Sequence, residues 1–110
     1  MNISIARDFS PYPHGRTSKD GEFSGERFRT EVLEPMLRRA LDQHGVIQID
    51  LDGVKALGSS FAEEAFGGLI RLAIAPSEDV REAIKVRYTK PWLRPVAENI
   101  ENYMRDAAER

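Results

Sequence analysis

The segment from Val46 to Leu72 limits the fold more than any other part of the chain. Val46, Ile47, Ile49 and Leu51 form a short apolar run, which reads as a strand buried on both faces. Asp52-Gly53 then turns the chain. Two serines, Ser59 and Ser60, precede Phe61, Ala62, Ala65, Phe66, Leu69, Ile70 and Ala73, which recur at the spacing of an amphipathic helix. Ser60 with Glu63 fits a capping box, in which the hydroxyl accepts an amide hydrogen bond while the glutamate reaches back. Gly67-Gly68 lies inside this helix. Each glycine costs about 1 kcal/mol relative to alanine there, so the pair predicts a close approach, such as to the sheet.

The flanking chain completes the pattern. Ile3, Ile5 and Phe9 alternate with polar residues as a half-buried strand does. Pro11, Pro13, Gly15 and Gly21 punctuate a long loop from Ser10 to Phe23, with room for a short hairpin. From Ser24 a helix is expected, with Phe28, Val32, Met36 and Ala40 beside Leu33, Leu37 and Leu41. Ser24 caps it, Glu26 suits its first turn, and Gly45 ends it. Pro35 in its interior predicts a kink or a break. Pro76 closes the second helix. Ile84, Val86 and Tyr88 alternate in a strand with one exposed face, and Pro95 opens a last helix carrying Val96, Ile100, Tyr103, Met104 and Ala107. The order β, long loop, α, β, α, β, α predicts an α/β fold, with helices laid on a small sheet, as one domain over 1–110.

Composition excludes whole classes of chemistry. There is no cysteine, so disulfides, thiolate nucleophiles and sulfur-ligated metal sites are ruled out. Apolar runs fall short of the ~18–20 residues a membrane helix needs. The start, Met1 to Ser10, is too polar for a secretory signal. The formal net charge of −2 is split evenly between the halves, which gives no general basic field for nucleic acid. The expectation is a cytoplasmic protein with no cofactor and no membrane contact.

Two motifs carry a family resemblance. The run Ile49-Asp50-Leu51-Asp52-Gly53-Val54, then Leu57-Gly58-Ser59-Ser60-Phe61 and Phe66-Gly67-Gly68-Leu69, resembles STAS domains. These are the anti-sigma-factor antagonists and the cytoplasmic domains of sulphate transporters. More closely, the chain is similar to the STAS-like family of unknown function, through Ser24-Gly25-Glu26-Arg27-Phe28-Arg29 and the helix from Ser59 to Leu69. The resemblance implies a STAS-like sheet of about four strands with three main helices. In the antagonists, the serine after a motif aspartate is phosphorylated by an ATPase of the histidine-kinase-like fold. That position is Ser59, with Ser60 next to it. Gly58 stands where the aspartate would be, which removes a carboxylate beside the acceptor hydroxyl, and Phe61 replaces the usual glycine.

Several residue groups compete for a role. A serine at a helix start can be a cap, a phosphoacceptor or a nucleophile, and the pattern Gly-x-Ser-x-Gly of a nucleophile elbow is absent. Phe61 belongs either to the core or to a partner-binding surface with Gly58, Glu63 and Glu64. Asp50 and Asp52 alternate on one strand, and with His14 they define a ligand- or metal-binding alternative beneath the long loop. Hydrogen-bonded turn carboxylates account for the same two aspartates. Residues 81–94 hold five basic residues and one acid, with Tyr88 and Trp92 interleaved. That composition suits a guarded strand edge, or a single-strand nucleic-acid surface as the weaker alternative. The leading expectation is a non-enzymatic signalling module with a protein partner, a histidine-kinase-like ATPase in the reading the resemblance supports.

Overall fold

Three parallel strands, β1 (Asn2–Ser4), β2 (Ile47–Asp50) and β3 (Ile84–Arg87), form one sheet in the order β1-β2-β3. A computed structural model describes residues 1–109. Asn2, Gln48 and Lys85 share one register level, and Ser4, Asp50 and Arg87 another. Successive side chains alternate between faces, so Ile3, Ile47, Ile49, Ile84 and Val86 lie together on the side packed into the core. Gln48, Lys85 and Arg87 point the other way and are exposed. β2 is therefore covered on one face only, contrary to the two-sided burial its apolar run suggests. Its polar residues Gln48 and Asp50 already alternate with the isoleucines. The sheet has three strands among the described residues, not about four, because the long loop forms none.

Among the described residues, five helices accompany the sheet. After β1 the chain does not continue as a strand through Ile5 and Phe9. It folds into α1 (Ile5–Asp8), capped by the Ser4 hydroxyl, which accepts from the Arg7 N–H. The loop that follows is closed by its own aromatic ends, with the Phe9 and Phe23 rings 5.5 Å apart.

The next helix, α2, spans 25–42 and starts with the Ser24 hydroxyl accepting from the Arg27 N–H. Pro35 does not break it. A π-turn at Arg29–Leu33, in which the Glu34 N–H reaches the Arg29 carbonyl, moves Pro35 into the first turn of the following segment Glu34–Asp42. A proline lacks only an N–H that has no partner at such a position. At the far end His44, not Gly45, adopts the left-handed conformation (φ 52°). Its N–H bonds to the Leu41 carbonyl and that of Gly45 to Ala40, the double closure of a Schellman motif.

Helix α3 spans 59–71 and contains a second π-turn, Glu63–Gly67. It stops before Pro76, where Ala73 turns left-handed (φ 54°). Pro76 instead caps a helix not expected from the sequence, α4 (Ser77–Ala83), which leads directly into β3. The last helix, α5 (Arg94–Ala108), forms as expected and buries Ala97, Ile100, Met104 and Ala107. No described helix is long and apolar enough to cross a membrane.

The core joins these layers through phenylalanines. Phe28 on α2 meets Phe61 and Phe66 on α3 at 5.6 and 6.2 Å, and Phe9 at 5.1 Å. All of Phe28, Phe61 and Phe66 are fully buried.

Candidate functional site

β2 runs into the loop 51–58 and then into α3, so the loop delivers the two serines to the end of the sheet where the parallel strands finish. Gly58 is the N-cap residue (φ −76°, ψ 157°), and no side chain caps this end. Ser59 and Ser60 are the first two helical residues and are exposed. The expected capping box is absent. Its geometry requires the serine one step outside the helix, and here the helix begins one residue before Ser60. Neither hydroxyl is committed to holding the helix.

An open cleft of about 460 Å³ lies in front of the serines, lined by His14, Gly15, Arg16, Asp20, Gly58, Ser59 and Ser60. The long loop forms its opposite wall. Backbone bonds join this loop to the start of α2: Gly25 N–H donates to the Gly15 carbonyl and Glu26 N–H to that of Arg16, each at 2.9 Å. Gly15 has φ +79°, and a side chain there would strike Asp20. The Asp20 carboxylate accepts from the backbone N–H groups of Thr17 and Arg16, which hold its pKa below the ordinary carboxylate value.

Arg16 ties the loop to α3. Its Nη1 donates to Glu63 Oε1 at 2.7 Å, while Arg71 grips the same carboxylate from the other side, with Nη1 at 2.6 Å from Oε2 and Nη2 at 3.1 Å from Oε1. The Arg71 hydrogen bonds, and after them those of Arg16, hold the Glu63 carboxyl at about 2, against the partial desolvation that opposes them. Glu64 pairs with Arg29, whose side chain is only 11% exposed. Arg29 Nη1 reaches both Glu64 Oε2 (2.6 Å) and the Glu64 carbonyl (2.7 Å). Within the π-turn, Gly68 N–H bonds to the carbonyls of Glu63 and Ala65 and passes over that of Glu64. Arg29 supplies a donor to the carbonyl left over.

These contacts redefine the expected site residues. Gly58, Ser59 and Ser60 do line one surface. Glu63 and Glu64 do not form an acidic patch beside them, since Arg16, Arg71 and Arg29 neutralise both. Phe61 faces the core, fully buried, and is corrected here from a partner-binding candidate to a packing residue. Of the family motif before α2, Ser24 is a buried cap and Glu26 is exposed in the first turn. Gly25 permits close contact with α3: a Cβ there would lie 2.5 Å from the Phe61 carbonyl. Gly67 and Gly68 leave space for the Glu63 carboxylate and the Arg29 guanidinium, not for the sheet. Sequence reasoning places Arg16 in the loop near His14 but misses its pairing with Glu63, and misses Arg71, because nothing local marks an arginine 47 positions before a glutamate or eight after it as its partner.

The ligand-binding alternative is not assembled. Asp50 accepts from the Asp52 N–H and lines a separate cleft of about 240 Å³ with Arg7, Asp8 and Arg87. Both Asp52 oxygens accept from Thr89, through its hydroxyl and its N–H, and these bonds lower the Asp52 pKa. His14 stands apart at the serine cleft. No cluster of three metal-ligating side chains occurs among the described residues.

The three strands are parallel, and the central one leads through a loop to two serines at a helix start. The family model described as STAS-like domain of unknown function (DUF4325) matches residues 24–91, which hold both motifs, and the chain belongs to that family. Compared with curated proteins and with solved structures, the chain finds no match.

Proposed function

We propose that this protein is a non-enzymatic interaction module of cytoplasmic signalling, resembling the anti-sigma-factor antagonists. Its switch is phosphorylation of Ser59, or of Ser60 beside it, by a partner ATPase of the histidine-kinase-like fold. The observation that carries this reading is that both hydroxyls are exposed at the first turn of α3 and free of capping duty.

A phosphoryl group on Ser59 adds roughly −1.5 to −2 charge where the helix dipole and its unpaired N–H groups favour an anion. Arg16 lines the same cleft, so the new charge competes with Glu63 for its guanidinium. The loop 10–23 and the serine surface then change together, and a partner that reads both distinguishes the two states. With glycine at position 58 that position supplies no base for the serine proton, although Asp20 and His14 line the same cleft.

The test is mass spectrometry after incubation with the candidate ATPase and ATP. Addition of one phosphoryl group, lost in Ser59→Ala or in Ser60→Ala, is the expected result. Two unmodified serines under conditions where the kinase is active would sink the switch.

A further inference from the structure

The serine cleft contains one carboxylate that stands outside every ion pair. Around it, Glu63 is gripped by Arg16 and Arg71, Glu64 by Arg29, and Glu22 lies 3.5 Å from Arg27. Asp20 lines the cleft with Ser59 and Ser60 and has no cation within ion-pair distance among the described residues.

The loop builds its position. The N–H groups of Arg16 and Thr17 reach the same oxygen, Oδ2, at 3.0 and 3.2 Å, so Oδ1 is left without a hydrogen bond among the described residues. Asp20 N–H in turn donates to the Thr17 carbonyl at 2.9 Å. Gly15 leaves the room: a Cβ there would lie 2.3 Å from the Asp20 Cβ. Because the Gly15 and Arg16 carbonyls are bonded to the first N–H groups of α2, this wall is fixed before any partner arrives.

The bond from Thr17, and after it that from Arg16, also keeps Asp20 ionised at neutral pH. A weakly basic carboxylate suits phosphoryl transfer. In a loose transition state the attacking oxygen bonds to phosphorus late, so its proton need only be accepted then, and protein kinases use an aspartate for that purpose. His14 lines the same cleft and is the competing base.

We propose that Asp20 supplies, from the loop, the carboxylate that position 58 lacks: it accepts the hydrogen bond of the reacting serine hydroxyl, directly or through one water, and takes its proton. This rests on the phospho-switch reading and assigns the base to this chain, not to the ATPase. The serine Oγ–P bond forms as the bond from the γ-phosphorus of ATP to its β,γ-bridging oxygen breaks. ADP leaves with that electron pair, and the proton passes from Asp20 to solvent.

The test follows phosphoryl incorporation by mass spectrometry with the candidate ATPase and ATP. Asp20→Asn keeps an oxygen for the Arg16 and Thr17 N–H groups, so its thermal midpoint is expected to hold. Its kcat is expected to fall by about tenfold or more, with the KM for the acceptor protein unchanged. Adding Gly58→Asp to that variant puts a carboxylate at the family position, where the backbone is unstrained (φ −76°) and a Cβ meets no atom within 4 Å. The double variant is expected to recover most of the rate, and His14→Gln to lose less than Asp20→Asn. A full rate in Asp20→Asn, no recovery in the double variant, or a larger loss in His14→Gln would each overturn the assignment. An unmodified wild type refutes the switch itself, whereas a modified wild type with an equally fast Asp20→Asn refutes only the role of Asp20.

Discussion

Arg29 and Glu64, 35 positions apart in sequence, join the two motif-bearing helices: one guanidinium nitrogen lies 2.6 Å from the Glu64 carboxylate and 2.7 Å from its backbone carbonyl. The contact falls where both helices carry a π-turn, Arg29–Leu33 in α2 and Glu63–Gly67 in α3. Such turns cluster at functional sites, and here they place the serine-bearing helix against the long loop and α2. The shared motifs act first as a lock that positions the serine surface.

Removing that lock is expected to be expensive. Arg29→Met leaves a half-buried Glu64 carboxylate and a carbonyl without a donor, and should destabilise by about 3 kcal/mol in chemical denaturation. Arg29→Lys should recover little, because one ammonium cannot reproduce the planar fork. Arg29→Met/Glu64→Met should recover only part of the loss, because Glu34, whose Oε2 lies 3.6 Å from Arg29 Nε, is still left without its cation.

Gly25 gives a prediction whose sign separates two effects. Helix propensity alone favours Gly25→Ala by about 1 kcal/mol. The added Cβ would lie 2.5 Å from the Phe61 carbonyl, a backbone atom that cannot swing away. The clash wins, and the variant should lose about 1–3 kcal/mol as α2 and α3 are pushed apart. A stabilised Gly25→Ala protein in thermal unfolding would contradict this packing.

Acid should weaken the clamp between loop and helix. The Glu63 carboxyl titrates at about 2 in the folded chain against an ordinary value of 4.5. The unfolded state therefore takes up its proton more readily, so this stability is complete above 4.5 and is lost as pH falls towards 2. Denaturation midpoints measured across that window should fall in the wild type. In Glu63→Gln they should start lower and fall less steeply.

His44 occupies the left-handed position that ends α2, with φ 52°. A Cβ is strained there by roughly 1 kcal/mol, which glycine avoids. His44→Gly should raise stability by up to about that amount in thermal unfolding.

Much of the fold was legible because it rests on local periodicity. The alternation at Ile84 and Val86, the helical spacing from Phe28 to Leu41 and from Phe61 to Ile70, and the proline opening the last helix all report how a segment meets water. Helix α4 was not legible. It is short, its apolar contribution is only Val80 and Ala83, and Pro76 reads equally well as an ending or a beginning. The three strands are those the residue pattern gives; the fourth is implied only by the family resemblance, and the Pro- and Gly-rich loop forms no strand.

The site divides along the same line. Ser59 and Ser60 could be placed at a helix start from their neighbours in sequence, since capping and burial patterns act over a few residues. Whether they cap, whether Phe61 faces a partner or the core, and which cations meet Glu63 and Glu64 depend on groups brought together across long stretches of chain. Moving the helix start by two residues, from a cap at Ser60 to one at Gly58, freed both hydroxyls, and packing against Phe9 and Phe28 took Phe61 out of water. Arg16, Arg29 and Arg71 came to the glutamates through the fold alone. Hydrophobic pattern is a property of each segment, whereas charge pairing and exposure belong to the assembled surface, and only tertiary structure decides them.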